Sequence, residues 1–153
     1  MKKFGLIIIW MMIIFFGYKS YLHNINQQNV GIQPEESVVM DVFMSEIEYV
    51  EILAYATDQL NEDALEDAVV IYTLDDNSRR FSVVYSSEGN YFISEEKAAP
   101  IDNQKIEVRN IDDEIPKEFI ISGSKNGHFG YSIFRIEDSE VVDIFGEGME
   151  DCC

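Results

Sequence analysis

An α+β fold is what this sequence predicts: an N-terminal transmembrane helix, a tether, then one amphipathic helix packed on an antiparallel sheet made of two degenerate blade-like repeats. Three observations lead there. A single uncharged apolar run occupies Phe4–Tyr18. Apolar residues Val39, Phe43, Ile47, Val50 and Ala54 then recur at helical spacing. From Leu60 onward the texture changes to short β-branched and aromatic runs separated by turn residues.

The apolar run reads FGLIIIWMMIIFFGY. At about 1.5 Å per residue it is a little over 20 Å long, short of a hydrocarbon core of roughly 30 Å. Extension to Leu22, with the Lys19 stem reaching for the interface, closes most of that gap. Lys2 and Lys3 hold the N-terminus in the cytoplasm, so the remainder faces outward. A cleavable signal peptide would want small residues after the run, and Gly17-Tyr18-Lys19-Ser20-Tyr21 is bulky there. Residues 1–22 are therefore expected to be an uncleaved single-pass anchor in the cytoplasmic membrane, and 23–34 (HNINQQNVGIQP) a polar tether. Residues 35–148 form one extracytoplasmic acidic domain, and 149–153 a Cys-Cys tail.

Within the domain, Pro34-Glu35-Glu36 predicts a helix start, with proline in the first turn and acids at the positive end of the dipole. Met40 and Met44 lie beside the apolar face as packing residues. The stretch 47–56 is open to either helix or strand. Strands are expected at Ala68–Leu74, Phe81–Ser86, Tyr91–Ser94, Lys105–Arg109, Phe119–Gly123, Tyr131–Ile136 and Val141–Phe145. Turns fall at Asp75-Asp76-Asn77, Glu88-Gly89-Asn90, Asn126-Gly127 and Asp138-Ser139-Glu140.

The chain of 153 residues carries a net charge of −18. Every acidic residue lies at or after Glu35, so the domain is more acidic than the whole. Phosphate binding needs clustered Lys and Arg, which argues against nucleic acid as a partner. Cations or a basic partner surface suit this charge, which also keeps an exported domain soluble.

One pattern occurs twice. Gln59, Asn61, Asp63, Leu65 and Asp67 alternate ahead of the strand AVVIY, and Asn110, Asp112, Glu114, Pro116 and Glu118 alternate ahead of FIISG. Alternate oxygen side chains in a tight loop are how a chain wraps Ca²⁺. The loops resemble degenerate FG-GAP-type calcium-loop repeats of the form D-x-D-x-D-G-x-x-D. They depart from that form with Ala64 and Ile115 in place of the glycine and with amides at Gln59 and Asn110. Two roles stand side by side: weak Ca²⁺ loops formed by Asn61, Asp63, Asp67, Asn110, Asp112, Glu114 and Glu118, or purely structural turns.

The only two cysteines are Cys152 and Cys153, at the C-terminus. Their Cα atoms sit about 3.8 Å apart across a trans peptide, below the roughly 4.4–6.8 Å of an ordinary disulfide. They cannot staple distant segments. Three roles remain: a metal site in which both sulfurs take one soft ion such as Hg, Cu or Zn, a dithiol–disulfide redox couple, and mixed disulfides with a partner. Glu150 and Asp151 disfavour thiolate, which hurts nucleophilic attack more than metal capture. No catalytic constellation is visible: His23 and His128 have no spaced partners, and there is no phosphate loop or serine-nucleophile motif. The chain is accordingly expected not to be an enzyme.

The N-terminal apolar run, the closing stretch IISGSKNGHFGYSIFRIEDSEVVDIFGEGMEDCC and above all Cys152-Cys153 resemble the Cys-Cys-COOH (seleno)protein family SaoC. That family belongs to a clostridial gene system proposed to handle organomercurials beside an ABC-type transporter and lyase-like proteins. The resemblance implies that Cys152 and Cys153 engage a soft metal or organomercurial outside the membrane and hand it to such a transporter or lyase. Against it stand a thiol redox or mixed-disulfide partner protein, and a calcium-stabilised interaction module with an incidental tail.

Overall fold

The computed structural model describes Ile32 and residues 34–152, without the Cys152 side chain. The expected anchor (1–22), nearly all of the tether (23–34) and Cys153 lie outside the described residues. Among the described residues no helix is long and apolar enough to cross a membrane.

The fold is a sheet-rich α+β. Its first helix, α1, spans Val38–Glu46. It does not start at Pro34, as the proline and acids suggested. Ser37 stands in extended conformation as N-cap and its hydroxyl accepts from the Met40 N–H, an arrangement worth about 1 kcal/mol over alanine. Nor does the apolar face run on to Val50 and Ala54. Ile47 ends the helix, and β1 begins at Glu51. Val39, Met40 and Phe43 are fully buried, whereas Met44 is exposed rather than packed.

Sheet A is a meander of β1 (Glu51–Asp58), β2 (Asp67–Thr73), β3 (Arg79–Ser87) and β4 (Asn90–Ile93). A two-residue strand, β5 (Lys97–Ala98), shares the β3 edge with β4. Sheet B is a second meander of β6 (Asp102–Arg109), β7 (Glu118–Lys125), β8 (His128–Glu137) and β9 (Glu140–Glu147). Its last strand leads into one helical turn, α2 (Met149–Cys152). Three of the hairpins turn on residue pairs that both hold positive φ, Glu88-Gly89, Asn126-Gly127 and Asp138-Ser139, the geometry whose twist matches flanking strands.

Sheet B repeats the pairing of sheet A. Ala54 pairs with Ile71 as Lys105 pairs with Ser122, each displaced by 51 residues. Val84 pairs with Ile93 as Phe134 pairs with Asp143, each displaced by 50. The lost residue lies between the second and third strands: Asp75–Asn77 make the first connection, Asn126-Gly127 the second. The edge strands β1 and β6 both break register near the same end.

Three layers result. The outer side of sheet A (Ala68, Val70, Tyr72, Val84) is covered by α1, with Phe43 edge-on to Tyr72. Its other side (Val69, Ile71, Phe81, Val83, Tyr85) packs on Phe119, Ile121, Phe134, Ile136 and Val141 of sheet B. Phe81, Phe119 and Phe134 make mutual ring contacts at the centre of this shared core.

Candidate functional site

Both oxygen-rich loops lie at one end of the two sheets, each just before the second strand of its meander. In the first, Asp67 is fully buried. Its carboxylate accepts from the Leu60 N–H at 2.8 Å and from the Ser86 N–H at 2.9 Å. Burial is the dominant influence and raises its pKa from the ordinary aspartate value, opposed by these two N–H groups. Asn61 Oδ1 accepts from the Asp63 N–H, and Asp63 Oδ1 accepts from the Leu65 N–H. These side chains form turns with their own backbone. The Ser86 hydroxyl donates to Asp63 Oδ2 at 2.6 Å, and the Asn61 amide donates to the Ser86 carbonyl.

The second loop repeats the scheme. Glu118, also buried, accepts from the Ile111 N–H seven residues back, as Asp67 does from Leu60. Asp112 Oδ1 accepts from the Glu114 N–H, the counterpart of Asn61 and Asp63. One group differs. The Arg135 guanidinium reaches from β8 to Asp112 at 3.0 Å and Glu118 at 3.1 Å, and also holds Glu137. The hydrogen bonds that Arg135 donates to Glu137 lead the influences that raise the Arg135 pKa. A protein cation thus sits between the two acids that a calcium loop would turn toward the metal. Asn110 and Glu114 are exposed. Where the calcium-loop form has glycine, the second loop instead carries Asp113 in left-handed conformation two residues earlier.

Among the described residues no group of three or more His, Cys, Asp or Glu is arranged to hold a metal ion. The loops do border a cleft of about 610 Å³. Asp63, Glu88, Glu137 and Asp138 give it negative walls, and the Tyr85 hydroxyl, donating to the Ser139 carbonyl at 2.8 Å, spans from sheet A to sheet B beside it. Such walls attract cationic groups. The sequence reading missed Ser86, Arg135 and Tyr85. Each lies on the third strand of its meander, and only the pairing of that strand with the second brings it to the loop.

At the opposite end of sheet B, β9 hands over to α2 at Gly148. Its φ is +69°, and a side chain there would come within 2.7 Å of the Phe129 carbonyl oxygen. Glycine is therefore required for the chain to turn against β8. The α2 turn packs beside β8 and β7, and its Asp151 N–H returns to the Gly148 carbonyl. Cys152 is the last residue of that turn. The structure brings Asn61, Asp63 and Asp67 into one loop and Asp112 and Glu118 into another, with Cys152 on a separate element. Comparisons with protein-family models, curated proteins and solved structures find no match.

Proposed function

We propose that the protein is a non-enzymatic, membrane-anchored capture protein whose vicinal thiols Cys152 and Cys153 take a soft metal ion or organomercurial outside the cytoplasmic membrane. The two sheets act as a folded stalk of two worn blade-like units, and the metal passes onward to a transporter or lyase. The observation that carries this proposal is the adjacency of the two cysteines in the sequence. Cys152 lies on a turn that Gly148 directs against sheet B, and Cys153 follows it in sequence. Adjacent thiols make a strained disulfide and a good chelate, since both sulfurs reach one soft ion that displaces their protons. The uncharged run Phe4–Tyr18 with its flanking lysines supports the anchor.

Titration of the full chain with Hg(II), against Cys152→Ser/Cys153→Ser, tests the proposal. One tight equivalent is expected in the parent and none of comparable affinity in the double variant. Equal stoichiometry and affinity in both would overturn it.

A further inference from the structure

The outer side of sheet B carries a patch of apolar side chains, uncovered among the described residues, within a frame of charged ones. It forms three rows across the strands. Lys105, Ser122, Tyr131 and Glu147 make one row; Glu107, Ile120, Ile133 and Phe145 the next; Arg109, Glu118, Arg135 and Val142 the third. Phe129 extends β8 beyond the first row. Phe129 and Phe145 are 66% and 52% exposed, and Tyr131 makes ring contacts with both. On a solvated sheet face, outward positions are normally polar. Here three successive outward positions of β8, Phe129, Tyr131 and Ile133, are not.

The repeat explains why. Displaced by 51 residues on the second strand and 50 on the third, Val69 and Ile71 correspond to Ile120 and Ser122, while Phe81 and Val83 correspond to Tyr131 and Ile133. In sheet A those positions bury another sheet. In sheet B they make up the uncovered side. The two sheets thus stack with the same face leading, and the leading face of sheet B keeps the character of a sheet-covering surface.

We infer that this face binds the same face of a second copy, related by a two-fold axis running along the strands. Such an axis reverses each row against itself. Lys105 of one copy then meets Glu147 of the other, Ile120 meets Ile133, and small Ser122 meets large Tyr131. These three pairs complement their own reversal, which is the requirement for an isologous contact, while at the outer strands Glu107 meets Phe145 and Arg109 meets Val142. Four strands of about eight residues offer a footprint on the order of 500 Å² per copy. About 1,000 Å² in total lies at the lower edge for a specific interface, so the dimer is weak, with a dissociation constant of roughly tens of micromolar.

Sedimentation of the full chain in mild non-ionic detergent, with Cys152 and Cys153 both replaced by serine, tests this without thiol cross-links. The parent is expected to shift from monomer to dimer as concentration rises through that range. Ile133→Lys should weaken the dimer at least about tenfold, by burying an unpaired charge. Lys105→Glu and Glu147→Lys should each weaken it, and their combination should restore it. The restoration singles out this face from any association through the N-terminal segment. A parent that stays monomeric, a dimer indifferent to Ile133→Lys, or a double variant no tighter than the singles overturns the inference.

Discussion

Asp67 and Glu118 do the same work in the two loops. Each sits at the first position of its strand and closes the preceding loop onto a backbone N–H seven residues earlier. Asp67 uses both oxygens, one for Leu60 and one for Ser86. Asparagine in its place has one acceptor oxygen and an NH₂ that faces the other donor. A buried N–H left without an acceptor costs about 1–3 kcal/mol. Asp67→Asn is therefore expected to lower the unfolding free energy by that amount in urea titrations. Asp63→Asn should cost less, because the half-buried Asp63 loses the Ser86 hydroxyl bond but keeps an oxygen for the Leu65 N–H. Equal midpoints for Asp67→Asn and the parent would mean that the loop is not held through this carboxylate.

At the scale of elements, the strands were legible because β-branched and aromatic residues cluster between turn residues, and each hairpin carries its own turn chemistry. What misled was periodicity. A spacing of four satisfies a helix and, being even, also a strand, so the face through Val39, Phe43 and Ile47 seemed to continue into Val50 and Ala54 across the α1–β1 boundary. The strand β5 is too short to carry a pattern. The oxygen alternation of the loops was legible too, but Arg135 arrives from a strand 17 residues beyond Glu118, and no local spacing announces it. The same holds for the tie between the sheets at the end of β1, where Lys117 meets Asp58 at 2.8 Å. Partial desolvation is the largest influence on Asp58 and works upward, yet the Lys117 hydrogen bond and charge with the Gln59 N–H bring its pKa below the ordinary aspartate value. A carboxylate with a depressed folded-state pKa contributes stability above its unfolded value and loses it as pH falls through the folded one. Lys117→Met should thus cost at most about 1 kcal/mol near neutral pH, since both partners are over a third exposed. That cost should vanish at pH values below the folded-state pKa of Asp58. A cost that persists unchanged in strong acid would assign the effect to packing of the lysine stem instead.

At the scale of the whole molecule, the repeat raises the question of whether the two sheets are separable. Repeat architectures gain their stability from interfaces between neighbouring units, and two units share a single interface. Here that interface is the principal core. Phe81 from sheet A stands against Phe119 and Phe134 from sheet B, with Val69, Ile71, Val83, Ile121 and Ile136 around them. Sheet A has α1 on its other side, whereas sheet B has no second cover among the described residues. Loss of the shared core would leave sheet B without the layer of this chain that covers it among the described residues, and a four-stranded meander on its own buries little. The sheets should therefore unfold as one cooperative unit. Phe81→Ala is expected to lower its stability by about 3–5 kcal/mol, as for other large buried aromatics. The near-UV signal of the aromatic core and the far-UV signal of the strands should fall together in the parent and in the variant. Two separated transitions, with only one moved by Phe81→Ala, would show that sheet A and α1 stand without sheet B. The cooperative outcome would make sheet B, which carries the α2 turn and Cys152, dependent on the integrity of sheet A, so that substitutions at Val69 or Ile71 would loosen the thiol-bearing end without touching it.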